Sequence, residues 1–540
     1  MKDISSTGSF IDFTLENFIY VDKTEYIPKL VKLKRVFISR PRRFGKSLTL
    51  DTIATLFETG VEPYFKGTWI YDKWTEPTYP VLRLNFLNFD KNSLEKFNNK
   101  LNSKITEFAE LNKVTTYKEK EEAEDSIDHL LEQLRLENRQ IVILIDEYDC
   151  QMTANINNET LYKQFQEKIK SFYATIKNKW PIKFLGITGV TRLKDVEIFS
   201  IGSDINDITN ESAFSQLIGF TRDEIKKYYI DYLKLAASYE NKCRVEEVTD
   251  AQIESMLDMM AQNYDGYCFD EDYEKKVFNT WSVNKFFQTM VGKKKVQFGE
   301  YWYDNGGLPS ILVNYLKTHE LNIFEYLDKD KFLKVSSDDF KNPTALTTIN
   351  QNVLMCQTGY LTLRSDLNKT STVALGIPNG EIYKALNRLL ANNIFKGNTD
   401  ITDDYGRSLL EVGTVDDIIN LFNSALNSVS YDNYPIVSES SVQNMLKLYL
   451  LGAHQKVLSE VHEAKGRADL VVNTDNRRIV FEFKYAKNET EAKSKLLDAV
   501  EQIKTRDYGN IVPKKTELLR IATVFNADPK VRAFTEFQLV

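Results

Sequence analysis

The residues with the clearest chemical potential lie in one short segment, 40–47, which reads Arg-Pro-Arg-Arg-Phe-Gly-Lys-Ser. The apolar run before it predicts a strand, and the apolar residues after it recur at helical spacing from Leu48 onward. A loop that delivers Gly-Lys-Ser to the start of a helix can bind phosphate, because the first N–H groups and the positive end of the helix dipole face the anion. We expect Lys46 to reach the terminal phosphates and Ser47 to ligate magnesium.

The loop departs from the usual phosphate-binding pattern at one position, since Arg40 replaces the first glycine of G-x-x-x-x-G-K-[ST]. Gly-Lys-Ser alone is weak support for a nucleotide site, but the strand and helix predicted around it strengthen the interpretation. The candidate nucleotide-binding positions in this loop are Arg42, Arg43, Phe44, Gly45, Lys46, Ser47 and Leu48.

A second group of candidates follows the apolar run at 141–145. Five consecutive apolar residues predict a strand buried on both faces of a parallel sheet, and such sheets bind ligands at the C-terminal ends of their strands. Asp146 then suits the magnesium held by Ser47, and Glu147 is placed to orient or deprotonate an attacking water. Taken alone, the acidic pair also fits a strand that meets a solvated turn; the phosphate-binding loop earlier in the chain favours the first interpretation.

Further strands are predicted at 79–86 and at 182–190, where the pattern alternates or is largely apolar. Thr188, at the end of the second of these, could sense the terminal phosphate or its water, and a helix-capping threonine is an equal alternative. Arg192 is either a phosphate-facing or an ordinary surface arginine. The aromatic-rich segment 10–34 is expected to form an edge of the core.

The C-terminal region carries a second constellation of charged residues. Residues 468–474 and 477–485 predict two strands joined by a two-residue type I′ turn, Asp-Asn. Counting outward from the turn puts Asp469 directly opposite Glu482, with Lys484 on the same face. Opposed carboxylates repel each other, so we expect a magnesium ion between them and the lysine near the water or phosphoryl oxygen.

Two other residues are candidates for the same site. Glu460, on a helix expected to precede the hairpin, could supply another metal ligand. Gln502 could face the site from a helix predicted over 499–508. The competing interpretation is a solvated acidic hairpin face on which Lys484 forms a surface ion pair; the predicted register and the apolar flank favour a metal-dependent site that hydrolyses phosphodiesters.

Composition limits the class of protein. Hydrophobic residues make up 42% and charged residues 27% of the 540-residue chain, and the net charge of −7 leaves no overall basic footprint for nucleic acid. With four scattered cysteines and four histidines, neither a disulfide scaffold nor a zinc site is expected. No apolar run reaches the length of a signal core or a membrane span, so we expect a soluble, cytoplasmic protein with no membrane partner.

Together these segments resemble the bacterial AAA-ATPase-like family whose members carry a C-terminal nuclease-like domain of the PD-(D/E)XK superfamily. The matching segments are 20–24, 40–47, 144–149, 188–192, 220–221, 359–361, 376–379 and 460–484. The motif Arg-Pro-Arg-Arg-Phe-Gly-Lys-Ser is highly specific to this family, so Arg40 is the family's own version of the loop. Residues 196–209 match the family's landmarks only in part.

The resemblance implies ATP as the nucleotide, with Lys46, Ser47, Asp146 and Glu147 in their P-loop roles. It also implies a restriction-endonuclease-like fold around Asp469, Glu482 and Lys484. The expected fold class is α/β, a P-loop NTPase with a parallel sheet of the ASCE/AAA-like kind and a helical lid, followed by a restriction-endonuclease-like domain. The expected divisions are 1–219 for the ATPase-like domain, 220–345 for the lid, 346–430 for a connector and 431–540 for the nuclease-like domain.

These inferences predict an ATP-binding and ATP-hydrolysing switch that controls a magnesium-dependent nuclease module acting on DNA or RNA, in a chain that could form a homo-oligomer. One alternative is a regulatory ATPase whose C-terminal fold only binds nucleic acid or protein. Another is a nuclease fused to a domain that binds ATP without hydrolysing it.

Overall fold

The computed structural model describes residues 1–193, 204–304, 310–316, 319, 323–343, 345–395, 405–453, 455–463, 466–508 and 516–540. The chain divides into two compact units, one of Met1–His319 with Phe332–Ile382 and one of Glu320–Lys331 with Tyr383–Val540. The finer division into four parts stays a prediction.

The α-helices and β-strands of the described residues have the following bounds. The helices are α1 (Phe10–Leu15), α2 (Ile27–Leu33), α3 (Lys46–Thr59), α4 (Leu94–Leu111), α5 (Ala123–Leu136), α6 (Cys150–Ala154), α7 (Glu159–Ile176), α8 (Arg222–Tyr228), α9 (Ile230–Asn241), α10 (Asp250–Tyr264), α11 (Thr280–Lys293), α12 (Tyr301–Asp304), α13 (Ser310–Leu316), α14 (Ser337–Lys341), α15 (Gln351–Gln357), α16 (Gly380–Ile394), α17 (Tyr405–Val412), α18 (Val415–Asn427), α19 (Glu439–Gly452) and α20 (Glu489–Arg506). The strands are β1 (Arg35–Ser39), β2 (Val81–Asn85), β3 (Ile141–Asp146), β4 (Ile182–Gly189), β5 (Asn206–Asp207), β6 (Leu333–Ser336), β7 (Thr362–Leu363), β8 (Thr372–Gly376), β9 (Lys456–Glu463), β10 (Gly466–Asn473), β11 (Arg477–Ala486), β12 (Glu517–Asn526) and β13 (Ala533–Leu539). None of these helices is long and apolar enough to cross a membrane.

The first unit is built on a five-stranded sheet in the order β2-β3-β4-β1-β5, and every pairing in it is parallel. All residues of β1 and β3 are buried, as expected for central strands covered by helices on both faces. Helix α3 packs on β3, and α5 packs on α7. The strands predicted before the phosphate-binding loop, at 79–86, at 141–145 and at 182–190 correspond to β1, β2, β3 and β4, so these predictions are confirmed. The short edge strand β5 was not predicted.

The C-terminal ends of β1, β3 and β4 lie side by side. Ser39 pairs with Gly189, and β4 pairs in turn with β3. The phosphate-binding loop, Asp146 and Thr188 therefore meet at one edge of the sheet, although about one hundred residues of sequence separate the loop from the carboxylate. Parallel sheets bind ligands at this edge.

Helices α8 to α11 form a separate core within the first unit, made of buried apolar side chains such as Leu233, Met260 and Phe287. The side chains of Thr221 and Glu224 form a capping box, which explains why α8 begins at residue 222. The helical region expected from residue 220 onward is thus confirmed. A small antiparallel sheet in the order β6-β8-β7 follows.

The second unit is built on a five-stranded sheet in the order β13-β12-β11-β10-β9. Strands β11 and β12 are parallel, and the other neighbours are antiparallel. Helix α20 packs against β11 and β12, where Ala499 and Ile503 meet Val471, Val480 and Ala522 in a continuous apolar layer. The predicted strands at 468–474 and 477–485 are confirmed.

The segment that contains Glu460 differs from the prediction. We expected a helix because Met445, Leu448, Tyr449 and Val457 fit a helical stripe. The helix α19 ends at Gly452, and residue 460 lies in β9, an edge strand that pairs with β10. Pairing with β10 therefore decides the conformation of this segment, and a short apolar pattern does not report such long-range pairing.

The turn of the β10–β11 hairpin also differs from the prediction. Neither Asp475 nor Asn476 has the positive φ that a type I′ turn requires. The N–H of Arg477 instead donates to the hydroxyl of Thr474 (2.9 Å), and the N–H of Thr474 donates to the carbonyl of Arg477 (2.9 Å). A side-chain hydrogen bond thus helps to close the turn while the predicted pairing of the strands is kept.

One carboxyl group of the first unit is buried away from the sheet. Glu381, in the first turn of α16, accepts hydrogen bonds from the Ser282 hydroxyl (2.7 Å) and the Trp302 main-chain N–H (2.9 Å). Burial raises the pKa of Glu381 to about 8, so this group is mostly protonated at neutral pH.

We expect the stability of the first unit to depend on this group. In the unfolded chain a glutamate ionises near pH 4.3 (about its reference value), whereas Glu381 stays protonated in the folded chain until about pH 8. The stabilisation that the protonated Glu381 gives to the folded chain is therefore complete below the pKa of the unfolded chain. It decreases by about 1.4 kcal/mol for each pH unit between the unfolded and the folded pKa, and it is lost once the pH has risen through the folded pKa. The variant Glu381→Gln should lose this pH dependence in thermal unfolding measured between pH 5 and 9. Equal pH slopes for both proteins would contradict the assignment.

Candidate functional site

The loop between β1 and α3 has the geometry of a phosphate-binding loop. Gly45 is the N-cap of α3 and has a φ of 103°, a conformation that glycine adopts without strain. The ammonium of Lys46 is buried within the loop, where it donates to the carbonyl oxygens of Arg40 (3.0 Å) and Pro41 (3.2 Å). A helix N-terminus and a buried cation thus converge at one place, as the binding of phosphate requires.

Arg40, which stands where the usual loop has its first glycine, anchors the loop from inside. Its guanidinium is 1% exposed and donates to the carbonyl oxygens of Ser39 (2.9 Å) and Thr209. It also lies 4.2 Å from the centre of the Phe269 ring, and burial lowers the pKa of Arg40 to about 9. Arg40 therefore ties the start of the loop to two other segments, and its side chain has a structural role.

Asp146 joins the loop to the end of β3. Its carboxylate accepts from the hydroxyl of Ser47 (2.6 Å), the hydroxyl of Thr188 (2.5 Å) and the N–H of Glu147 (3.0 Å). The structure thus brings together the two residues that the sequence assigned to magnesium, Ser47 and Asp146. Hydroxyl and carboxylate oxygens are the donors that Mg²⁺ prefers, so these residues fit the ion.

Glu147 is next to the buried cation of the loop. Its Oε1 lies 3.7 Å from Nζ of Lys46, and its backbone has a positive φ of 53°, which is uncommon for a residue with a side chain. Burial raises the pKa of Glu147, the charge of Lys46 opposes this shift, and Asp149 and Asp146 add to it. A carboxylate with a raised pKa is better suited to accept a proton than an exposed one.

Asp149 fixes the chain that follows β4. Its buried carboxylate accepts from the N–H groups of Val190 (3.3 Å) and Thr191 (2.7 Å) and from the Thr191 hydroxyl (2.5 Å). The hydroxyl of Tyr148 donates to the carbonyl of Thr191 (3.1 Å). These bonds hold the ends of β3 and β4 in a fixed relation next to the loop.

The two polar residues predicted near the end of β4 have different surroundings. Thr188 is buried and contacts Asp146, as described above. Arg192 forms an ion pair with Asp207, and its main-chain N–H donates to Gln357 (3.3 Å). Residues 196–209 match the family's landmarks only in part, and residues 196–203 of this segment lie outside the described residues.

A cavity of about 360 Å³ opens over the phosphate-binding loop. All seven loop positions predicted to bind nucleotide, 42–48, line it together with Glu147, whereas Thr188 and Arg192 are not part of its described lining. Much of the remaining wall is apolar or aromatic and comes from segments far apart in sequence. The apolar and aromatic part of the wall includes Ile19, Tyr20, Val21, Leu217, Ile218, Phe220 and Trp281, and polar residues such as those at 5–7 complete it.

These wall residues were not predicted from the sequence. We expected the aromatic residues of 10–34 at an edge of the core, yet Ile19, Tyr20 and Val21 line the cavity. Their types are those of ordinary core residues, so no local signal separates the two roles. The wall exists only because α11 and the segment before α8 pack near the loop.

The C-terminal candidates meet on the hairpin of β10 and β11. Leu470 pairs with Phe481, and the same register places Asp469 opposite Glu482, in agreement with the count from the turn. The main-chain N–H of Phe483 donates to the Asp469 carboxylate (2.9 Å). Two carboxylates are therefore held face to face on one side of the sheet.

Glu482 is the most deeply buried group of this constellation. Its Oε1 accepts from Nζ of Lys484 (2.8 Å), while its Oε2 is buried and has no hydrogen-bond partner among the described residues. Burial, and then the charge of Asp469, raise the pKa of Glu482 to about 7. A buried carboxylate oxygen without a partner is costly, and a divalent cation would satisfy it, so the residues fit a metal ion.

The other two candidates at this site are placed less directly. Ser459 pairs with Leu470, which puts Glu460 at the register position opposite Asp469; its side chain is outside the described part. Gln502, on α20, donates to the hydroxyl of Tyr508 (3.3 Å). The described side chains include no group of three or more carboxylates, imidazoles or thiolates arranged to hold a metal.

Comparisons with known proteins identify the kind of domain that carries each candidate site. Residues 5–199 match the family model described as predicted AAA-ATPase, and residues 437–534 match that of the PD-(D/E)XK nuclease superfamily. The chain therefore has an AAA-ATPase-like N-terminal domain and a PD-(D/E)XK nuclease-like C-terminal domain, as the resemblance implied. The expected fold class, a parallel-sheet ATPase-like domain followed by a nuclease-like α/β domain, is confirmed.

Three individual proteins that match the chain are 25% or less identical to it in sequence. Over 533 residues the chain is 25% identical to an uncharacterized protein in the vnfD 5′ region of Azotobacter chroococcum mcd 1, with 95% of this chain and 94% of that protein covered. Among solved structures, the Walker-type ATPase PABY2304 of Pyrococcus abyssi matches with 11% identity and a TM-score of 0.36, over 67% of this chain and 94% of that chain. Cdc6p from Pyrobaculum aerophilum matches with 11% identity and a TM-score of 0.23, over 68% of this chain and 93% of that one.

We expect Asp149→Ala to destabilise the first unit, because it leaves the buried N–H groups of Val190 and Thr191 without their acceptor. The loss in free energy of unfolding should be roughly 2–4 kcal/mol, as for other buried donors that lose a charged partner. The control Asp128→Ala removes an exposed partner of Lys179 in the same unit and should cost less than about 1 kcal/mol. Chemical denaturation of the three proteins measures both values, and equal losses would contradict the role given to Asp149.

Proposed function

We propose that the N-terminal domain binds and hydrolyses ATP and that its nucleotide state controls a magnesium-dependent nuclease in the C-terminal domain. The observation that carries this proposal is that each domain holds its reactive groups together at one place. Lys46, Ser47, Asp146 and Glu147 meet at the edge of the parallel sheet. The paired carboxylates and the lysine of the second site meet on one hairpin. The control of one domain by the other is inferred from their fusion in a single chain.

The cavity of the first site suits a nucleoside triphosphate. Its loop end offers the helix N-terminus and the ammonium of Lys46 to the phosphates. The apolar wall formed by residues 19–21 and 217–220 suits the flat face of a purine base, which proteins bind through apolar and aromatic contacts. The cavity thus combines a cationic loop with apolar wall residues, the two kinds of environment that ATP requires.

Hydrolysis at this site requires a proton acceptor beside the terminal phosphate. We assign this role to a carboxylate oxygen of Glu147, whose burial and raised pKa favour proton uptake. Ser47 and Asp146 would hold Mg²⁺, which when bound neutralises charge that develops on the phosphate oxygens. Lys46 stabilises the same charge from within the loop.

The second site suits a phosphodiester of DNA or RNA. Asp469 and Glu482 would hold Mg²⁺, which when bound stabilises the charge of the phosphate under attack. The ammonium of Lys484 lies on the same face as the two carboxylates. It can donate hydrogen bonds to a phosphate oxygen or orient a water beside it.

A second candidate function is a regulatory ATPase whose C-terminal domain only binds nucleic acid or protein. It is favoured by one observation: the ammonium of Lys484 lies 2.8 Å from Oε1 of Glu482 and balances the charge of this carboxylate without a metal ion. Under this alternative, substitution of Lys46 abolishes the function of the protein, whereas substitution of Glu482 has no effect on it.

For the first site, we expect Glu147→Gln to bind ATP like the wild type but to release phosphate at least 100-fold more slowly (roughly, from the usual contribution of a general base). The control Glu137→Gln alters an exposed glutamate shortly before β3 and should hydrolyse ATP normally. Binding of a fluorescent ATP analogue and phosphate release measure the two steps separately. If Glu147→Gln hydrolyses ATP at the wild-type rate, or if wild type releases no phosphate, the assignment of Glu147 is wrong.

For the second site, we expect purified protein to cleave plasmid DNA or a structured RNA in the presence of Mg²⁺, with a rate that changes on addition of ATP. Asp469→Ala should abolish cleavage, because it removes one of the two carboxylates expected to hold the ion. The control Asp475→Ala changes an acidic residue in the turn of the same hairpin and should cleave normally. Binding of the nucleic acid without cleavage by wild type under every nucleotide condition would support the binding-only alternative.

A further inference from the structure

Helix α19 presents three polar side chains to the sheet of the second unit. Glu439, Gln443 and Lys447 follow one another at intervals of four residues, a spacing that places them along one face of a helix. Lys447 reaches the hydroxyl of Ser459 on β9 (2.8 Å), and Gln443 donates to the main-chain carbonyl of Asp469 on β10. A helix that covers a sheet usually presents apolar side chains to it. We call these three polar residues of α19, Glu439, Gln443 and Lys447, the polar stripe.

The first residue of the stripe contacts the lysine of the nuclease-like site. Oε1 of Glu439 lies 3.5 Å from Nζ of Lys484, whose other partner is Oε1 of Glu482 at 2.8 Å. The side chain of Lys484 is 14% exposed and that of Glu482 is not exposed at all, whereas that of Glu439 is 42% exposed. The ammonium therefore has one buried and one solvent-accessible acceptor within reach.

The buried acceptor is the group that is expected to bind a cation. As described above, Oε1 of Glu482 is occupied by Lys484 and its Oε2 has no partner among the described residues. A divalent cation between Asp469 and Glu482 would repel the ammonium and compete with it for the carboxylate. A largely buried ammonium that loses its partner would be left uncompensated, which is strongly unfavourable. Lys484 therefore needs another acceptor close by.

We infer that Glu439 is a positioning residue that receives the ammonium of Lys484 when a divalent cation binds Asp469 and Glu482. This inference rests on the proposed nuclease site and specifies how its lysine is held. Glu439 keeps the ammonium at the edge of the site while freeing Glu482 for the metal. Two residues of the polar stripe of α19 then have defined roles. Gln443 holds the strand that carries Asp469, and Glu439 holds the ammonium of Lys484.

The test measures Mn²⁺ binding to the full-length, nucleotide-free protein by isothermal titration calorimetry. The binding event that is lost in Asp469→Asn is assigned to the second site. We expect Glu439→Gln to weaken this event roughly tenfold, the effect typical of residues that orient a ligand-binding group without touching the metal. The control Glu489→Gln changes the first residue of α20, as Glu439 is the first residue of α19, and should bind Mn²⁺ like the wild type.

Measurements in the Lys484→Met variant distinguish a positioning role of Glu439 from direct binding of the metal by Glu439. In Lys484→Met the ammonium is absent, so adding Glu439→Gln should have no further effect on Mn²⁺ affinity. If the loss persists in that background, Glu439 contacts the metal itself and the inference is wrong. It is also wrong if Glu439→Gln alone binds Mn²⁺ like the wild type while keeping the wild-type unfolding midpoint. Absence of any Mn²⁺ binding at this site in the wild type would instead reject the proposed nuclease site on which the inference rests.

Discussion

Buried carboxylates need a compensating positive charge, and this constraint governs both candidate sites. In the first unit Glu147 lies beside the ammonium of Lys46; in the second, Glu482 is bonded to that of Lys484. Removing either cation would leave a carboxylate in a poorly solvated place, where an uncompensated charge is strongly unfavourable. Each site thus carries its own counterion, which comes from the start of α3 in the first unit and from β11 itself in the second.

The arginine that replaces glycine in the phosphate-binding loop has a structural role instead. The guanidinium of Arg40 does not point to a solvent-exposed phosphate position; it is buried against Phe269 and bonded to the carbonyl of Thr209. A glycine would supply conformational freedom at this point, whereas the arginine supplies a fixed attachment. Conformational freedom is kept where the chain needs it, at Gly45, which adopts a positive φ just before α3.

Much of the architecture follows from local sequence. The unbroken apolar run of β3 predicts a buried parallel strand, and the Gly-Lys-Ser loop predicts the start of α3. Counting outward from the β10–β11 turn predicts that Asp469 faces Glu482, because side chains alternate strictly along a strand. These features depend on residues close together in sequence, so the pattern alone determines them. The candidate site residues of the loop and of the hairpin were predicted for the same reason.

Tertiary packing decided the rest. Residues 19–21 and 217–220 form the cavity wall only because distant segments fold over the loop, and their apolar types also suit an ordinary core. Glu460 lies in an edge strand because pairing with β10 overrides its local pattern. Glu439 reaches the hairpin because α19 crosses the sheet. The sequence by itself determined which groups can do chemistry and the register of the hairpin that pairs Asp469 with Glu482. Only the fold decided which distant segments enclose those groups, because packing contacts leave no periodic signal in the chain.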